Sequence, residues 1–317
     1  VRAITFRSVA NDYIKAHAPA WRNPKHRAQW RSTLDTYVHP VIGDMPVTDV
    51  ATAHVMAVLG PIWTIKPETA TRVRGRIEAV LDYAKASEWR GGENPARWRG
   101  HLDNLLPARR KVRAVKHHAA LPWTEAGTFL AELRQQAGMG AKALEFAVLT
   151  AARSGEVLGA RWKEIDLLAG VWTVPAARMK AGVEHRVPLS APALALLGEV
   201  AKLRLSDSAE AFVFPSPVPT RPLSNMAMTM VLRRMHRSHL TVHGFRSCFR
   251  DWTAETTGFP REVAEAALAH TLEDKVEAAY RRGDLFDKRR ALMNAWGSFC
   301  ANIYVRSEGN IFVLHAG

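Results

Sequence analysis

Apolar side chains recur along the first third of the chain with the period of an α-helix. Phe6, Val9, Ala10, Tyr13 and Ile14 fall at i, i+3, i+4, i+7 and i+8, one face of a first helix. A second helix is expected around Trp30, Leu34 and Tyr37, stopping before a turn at His39-Pro40-Val41-Ile42-Gly43-Asp44-Met45-Pro46. Thr52 is placed to cap a short helix through Val55, Val58 and Leu59. Pro67 then opens a long one, since its missing N–H costs nothing in a first turn. The stripe of that helix is Ala70, Val73, Ile77, Val80, Leu81 and Ala84, and Arg72 and Arg76 are expected off it, on a solvated face or on phosphates.

From Gly91 to His118 the periodicity decays into Gly-Gly, Asn-Pro and a basic run, Arg109, Arg110, Lys111 and Arg113, which reads as a linker. A second module starts near Leu121. Helices are expected from Thr124 through Leu133 and over 141–151, the latter with Leu144, Ala147 and Val148 inward. Ser154 is a plausible N-cap for the next, and Glu156 suits its positive end. At Arg161 the period changes to two. Trp162 to Leu167, Val171 to Pro175 and His185 to Leu189 read as strands, with turns at Leu168-Ala169-Gly170 and Lys180-Ala181-Gly182. The chain then becomes helical again, ending in a helix that holds Leu292, Met293 and Trp296. Ile311 to Leu314 in the tail form a strand in search of an edge. The pattern predicts a mainly α protein: a helical module over 1–113, an α-rich module with a small antiparallel sheet over 114–300, and a tail over 301–317.

Composition narrows the partners. Across 317 residues the net charge is +14. Nineteen basic and ten acidic side chains in 1–113 give +9, and the remainder carries +5. Such a chain is built to face a polyanion, nucleic acid first and an acidic membrane surface second. Two cysteines, Cys248 and Cys300, exclude a disulfide framework and a cysteine-ligated zinc site. No apolar run nears the ~20 residues of a membrane span. The opening Val-Arg-Ala-Ile-Thr-Phe lacks a signal-peptide pattern, so cytoplasm is the expected compartment.

The second module carries candidate chemistry. Arg153 sits at a helix–helix junction and Lys180 at a β-turn. His243 and Arg246, three apart, share a helix face. His270 follows the helix that Pro260 starts, and Tyr280 comes ten residues later. With Thr150-Ala-Ala-Arg-Ser-Gly-Glu-Val157, Met179-Lys-Ala181, His185-Arg-Val-Pro-Leu-Ser190, His243-Gly-Phe-Arg246, Leu268-Ala-His270 and Ala279-Tyr-Arg281, this order resembles the tyrosine recombinase (phage integrase) family. The integrases of satellite prophages and genomic islands are the most similar subgroup. The first module shares the resemblance through Pro40-Val-Ile-Gly-Asp-Met-Pro-Val47, Lys66-Pro-Glu-Thr-Ala-Thr-Arg72 and Glu93-Asn-Pro-Ala96.

The resemblance implies a core-binding bundle and a catalytic domain closing as a C-shaped clamp on duplex DNA, with Arg72, Arg76 and the 109–113 cluster contacting the backbone. Arg153 and Arg246 would clamp the scissile phosphate, because guanidinium groups are always charged and present a planar fork. Tyr280 would attack to give a 3′-phosphotyrosyl link and a free 5′ hydroxyl, with His243 able to take its proton. Lys180 would protonate the departing 5′ oxygen, and His270 would hydrogen-bond the phosphate. No metal or other cofactor is implied. The partners implied are attachment-site DNA, a homotetrameric synapse and DNA-bending host factors, and the tail either docks on a neighbour or packs on its own domain.

Two departures from the family pattern stand out. Members of the subgroup usually carry a further N-terminal, arm-binding module, whereas this sequence opens on what reads as the core-binding domain; either the sequence is truncated or arm binding is absent, which puts directional control in question more than strand cleavage. Ala269 replaces the glycine common before the second histidine, and on size alone little effect is expected. Rival readings are a non-catalytic DNA-binding regulator, a type IB topoisomerase-like activity, and a metal site at His236, His239 and His243, which lack a neighbouring cysteine or carboxylate.

Overall fold

A computed structural model of the chain describes residues 3–21, 24–108, 119–204, 206–218, 220–270, 283–307 and 310–314. The chain divides into two compact units, Val1–Lys116 and His117–Gly317, each with its own apolar core. It is mainly helical, and none of the described helices is long and apolar enough to cross a membrane.

In the first unit, α1 (Phe6–His17) is capped by the Thr5 hydroxyl, which accepts from the Ser8 N–H at 3.3 Å, and it buries Phe6, Val9, Ala10 and Ile14. The second helix does not stop before His39. Helix α2 (Pro24–Thr33) runs through a π-turn (Leu34–Val38) into α3 (His39–Ile42). The reason is Pro40, which has no N–H for the next helical bond. The π-turn widens the ladder just before it, with the His39 N–H donating to Leu34 O, and the chain reverses only at Gly43. Thr52 opens α4 (Thr52–Trp63) without capping it; its hydroxyl pairs with His101 Nε2 at 2.8 Å. In α5 (Pro67–Ala86) the whole expected stripe is buried.

The second unit is built around α7 (Met139–Thr150), buried from Ala143 to Thr150. Against it pack α6 (Ala126–Arg134), α9 (Ala191–Lys202), α10 (Ala227–Arg234), α11 (Gly244–Thr256) and α13 (Phe286–Ala301). Trp296 of α13 donates its indole N–H to Val148 O at 2.9 Å, so this fully buried ring is also satisfied. Cys248 and Cys300 are both free and buried in this core. The shorter α8 (Ser154–Leu158) and α12 (Arg261–Ala267) flank the candidate site.

The sheet is three-stranded and antiparallel, in the order β1 (Ile165–Asp166), β2 (Val171–Val174), β3 (His185–Pro188). Its register pairs Trp172 with Val187 and Val174 with His185. The first strand is shorter than the alternation suggests. Trp162–Glu164 coils into a 3₁₀ turn, because buried Glu164 takes the Arg161 N–H, the Trp172 indole N–H and the Arg178 guanidinium. The tail finds its edge in itself: β4 (Ile303–Ser307) and β5 (Asn310–Leu314) form a hairpin whose first strand runs beside α6.

Candidate active site

Residues 151–156 and 268–270 come together although more than a hundred positions separate them in sequence. The junction after α7 turns on Ala151, at φ 49°, and the exit from α12 turns on Ala269, also at φ 49°. These left-handed bends direct peptide carbonyls at two guanidinium groups. Arg246 Nη1 donates to Ala151 O, and its Nη2 donates to Leu268 O at 2.6 Å. Arg153 Nη2 donates to Ala269 O at 3.1 Å.

Arg153, not Ser154, is the N-cap of α8. Glu156, at the third helical position, accepts from both the Arg153 N–H (3.0 Å) and Arg153 Nη1 (2.9 Å). This buried carboxylate therefore fixes the arginine at backbone and side chain together. Arg246 lies in the first turn of α11 and is only 4% exposed. Burial, reinforced by the charge of Arg153, lowers its pKa to about 10, so it is still a cation at neutral pH. Its Nε is buried and has no hydrogen-bond partner among the described residues.

His270 completes the cluster. Its Nε2 is 3.1 Å from Arg246 Nη2, and its Nδ1 is 2.5 Å from Glu265 Oε2. Burial alone would raise the Glu265 pKa, but the hydrogen bond with His270 and the charge of Arg250 hold the carboxyl below its ordinary value. Lys180 is exposed in the connection between β2 and β3, and His243 is the exposed N-cap residue of α11, three positions before Arg246. Arg178, two residues before Lys180, steadies the start of that connection by donating to Glu156 O at 2.8 Å and pairing with Glu164. Tyr280 lies outside the described residues, as do Arg109, Arg110, Lys111 and Arg113.

Of the two arginines marked on α5, Arg72 is exposed and pairs with Glu68 at 3.4 Å. Arg76 corrects the expectation that both lie off the apolar stripe. It is 8% exposed, donates to Gln29 O at 2.7 Å and stacks 5.3 Å from the Trp30 ring centroid. Its aliphatic stem packs in the core while its head is consumed within the unit.

Sequence reasoning passed over two groups. Glu265 has no periodic relation to His270, and the helix end between them hides their contact. His185, at the start of β3, is half-buried beside Arg289, Glu156 and Arg153 and bonds to the Ala267 backbone; desolvation first, then the charge of Arg289, lowers its pKa to about 4. Two fixed cations, Arg153 and Arg246, with the His270 imidazole beside them are the kind of groups that stabilise a tetrahedral oxyanion.

Two family models match the chain: the phage integrase central domain over residues 6–101 and the phage integrase family over 124–284. The prophage integrase IntZ of Escherichia coli K12 is 31% identical over 97% of this chain and 74% of its own length. The integrase of enterobacteria phage P4 is 28% identical over 94% and 69%. Among solved structures, a lambda integrase tetramer bound to a Holliday junction aligns with a TM-score of 0.67 at 18% identity, covering 86% of this chain and 80% of that one. The Tn1549 transposon integrase with circular intermediate DNA aligns at 0.66 and 14%, covering 92% and 99%.

Proposed function

The chain belongs to the phage integrase family and is a site-specific tyrosine recombinase, and from this we propose how its own residues cut and rejoin a duplex to integrate or excise a mobile element. The observation that carries the reading is the convergence of Arg153, Arg246 and His270 on the Leu268–His270 segment, with Arg246 Nε left as a buried, unpartnered donor.

The scissile phosphate binds between the two guanidinium groups, and the charge that grows on its non-bridging oxygens is met by donors already fixed in place. The phenolic oxygen of Tyr280 attacks phosphorus and its proton passes to His243. The bond to the 5′ oxygen breaks, and Lys180 protonates that oxygen. A 3′-phosphotyrosyl link remains, which a 5′ hydroxyl from a second duplex reverses without external energy. His270 hydrogen-bonds the phosphate and orients it. Arg72 and the Arg109, Arg110, Lys111 and Arg113 cluster contact the DNA backbone outside this centre. Strand exchange assembles four copies on two attachment sites, with host factors bending the DNA, in the cytoplasm at the nucleoid.

Incubation with a nicked suicide duplex tests the reading. A covalent adduct that disappears in Tyr280→Phe is expected, together with recombination between two duplexes. Tight binding without an adduct would make the chain a regulator, and relaxation of supercoils without exchange would make it a topoisomerase.

A further inference from the structure

We propose that Glu265 is a positioning residue for this reaction, holding His270 in the tautomer that carries its proton on Nδ1 and its lone pair on Nε2. The proposal rests on His270 belonging to the active site described above, so one arm of its test is independent of DNA.

The tautomer follows from donor chemistry. A guanidinium N–H donates and never accepts. Arg246 Nη2 lies 3.1 Å from His270 Nε2, so Nε2 is the acceptor. In the neutral ring the proton is then on Nδ1, which faces Glu265 Oε2 at 2.5 Å. The other oxygen of Glu265 is held as well: Arg250 Nε is 2.8 Å from Oε1, and Arg261 Nε is 3.8 Å from it.

Arg246 and Arg250 stand one turn apart on α11, while Glu265 and His270 lie on and just beyond α12. The contacts therefore run from Arg246 to His270, Glu265 and Arg250 and back into the same helix. The ring is gripped at both nitrogens and the carboxylate at both oxygens. With its side chain 15% exposed, Glu265 is well shielded from competing water.

This arrangement has a chemical consequence. A phosphate that engages Arg246 replaces Nε2 as the acceptor for Nη2, and His270 is left with a lone pair facing the reacting group. Nε2 then takes a proton from solvent water, and the ring donates to a phosphate oxygen as the imidazolium, with Glu265 as counter-charge. Glu265 thus sets what His270 does through contacts to Nδ1 and Arg250, without bonding to the phosphate itself.

The first arm records long-range proton–nitrogen NMR spectra of histidine-labelled, DNA-free protein at about pH 8, where histidine of ordinary pKa is neutral. The wild type is expected to show the Nδ1–H form of His270, and Glu265→Leu to lose it. Glu265→Gln, which keeps the volume and an acceptor oxygen, is expected to retain it, and serves alone if the leucine variant does not fold. The second arm measures single-turnover cleavage. Glu265→Leu should be slower by about 10- to 100-fold, the cost typical of losing a partner that orients an active group, with DNA affinity unchanged. Adding it to His270→Ala should slow that variant no further. An unchanged tautomer in Glu265→Leu, an Nε2–H ring in Glu265→Gln, or independent, additive losses would overturn the proposal. An inactive wild-type chain that still shows the Nδ1–H ring would overturn the proposed function and leave the assignment standing.

Discussion

Arg153 and Arg246 hang from adjacent peptide carbonyls, Arg153 from Ala269 O at 3.1 Å and Arg246 from Leu268 O at 2.6 Å. Their remaining anchors differ. Arg153 is 26% exposed and leans on a carboxylate, whereas Arg246 is 4% exposed and satisfies two backbone oxygens. Arg153→Ala should slow cleavage by about 10²–10³, as for a lost oxyanion donor, and should also lower the urea midpoint, because it leaves the buried Glu156 carboxylate without its counter-charge. Arg246→Ala should lose a similar rate and also about 1–3 kcal/mol for each buried carbonyl left unpaired. Adduct kinetics and urea titrations of both variants check this; a variant as stable as the wild type would contradict it.

The two arginines of α5 should separate in the same way. Arg72→Ala is expected to leave stability unchanged and to lower the slope of log affinity against log salt by about one phosphate contact. Arg76→Ala should leave the slope alone and destabilise the first unit by about 1–3 kcal/mol, since it strips Gln29 O and the Trp30 face of their partner. DNA titrations across a salt series, paired with thermal melts, distinguish the two.

His185 makes stability depend on acidity. Its pKa falls from 6.5 to about 4 in the folded chain, chiefly through burial. Between those values the unfolded chain binds a proton that the folded chain refuses. The contribution is therefore complete above pH 6.5 and is lost as pH falls toward 4, by about 3 kcal/mol. His185→Gln removes this titration. The stability difference between wild type and variant should shift by about that amount between neutral pH and pH 4, and a constant difference would refute the linkage.

Ala269 should be improved by glycine. Its φ of 49° lies in the left-handed region, which costs an L-residue about 1–2 kcal/mol. The extra freedom of glycine in the unfolded chain takes back about 0.4–1 kcal/mol. Ala269→Gly is thus expected to stabilise by roughly 1 kcal/mol. Chemical denaturation measures it, and a less stable variant would show that the methyl group is wanted there. Side-chain size, the basis for expecting little effect at this position, is the wrong property; backbone conformation governs it.

What could be read in advance was whatever repeats or stands in a motif. The stripe from Ala70 to Ala84 follows the helical period, and all of it is buried. The starts of β2 and β3, at Val171 and His185, followed from alternation and turns, and each strand ends one residue earlier than expected. Arg153, Arg246 and His270 were marked by their flanking residues, and the chain gathers them. Features that depend on a distant partner stayed hidden. Arg76 is buried because Trp30 and Gln29 receive it, and Glu265 meets His270 only because α12 ends between them. The helix passing through Pro40 was missed because proline normally ends a helix, and here a π-turn absorbs the missing donor.

The only two thiols of the chain, Cys248 and Cys300, sit in the core of the second unit, and burial pushes the Cys248 thiol up to about 12. An alkylating reagent can reach neither while that unit is closed, and it finds nothing to modify in the first. The incorporation of label over time is therefore a clock for the opening of one half of the molecule alone, built in without any engineered probe.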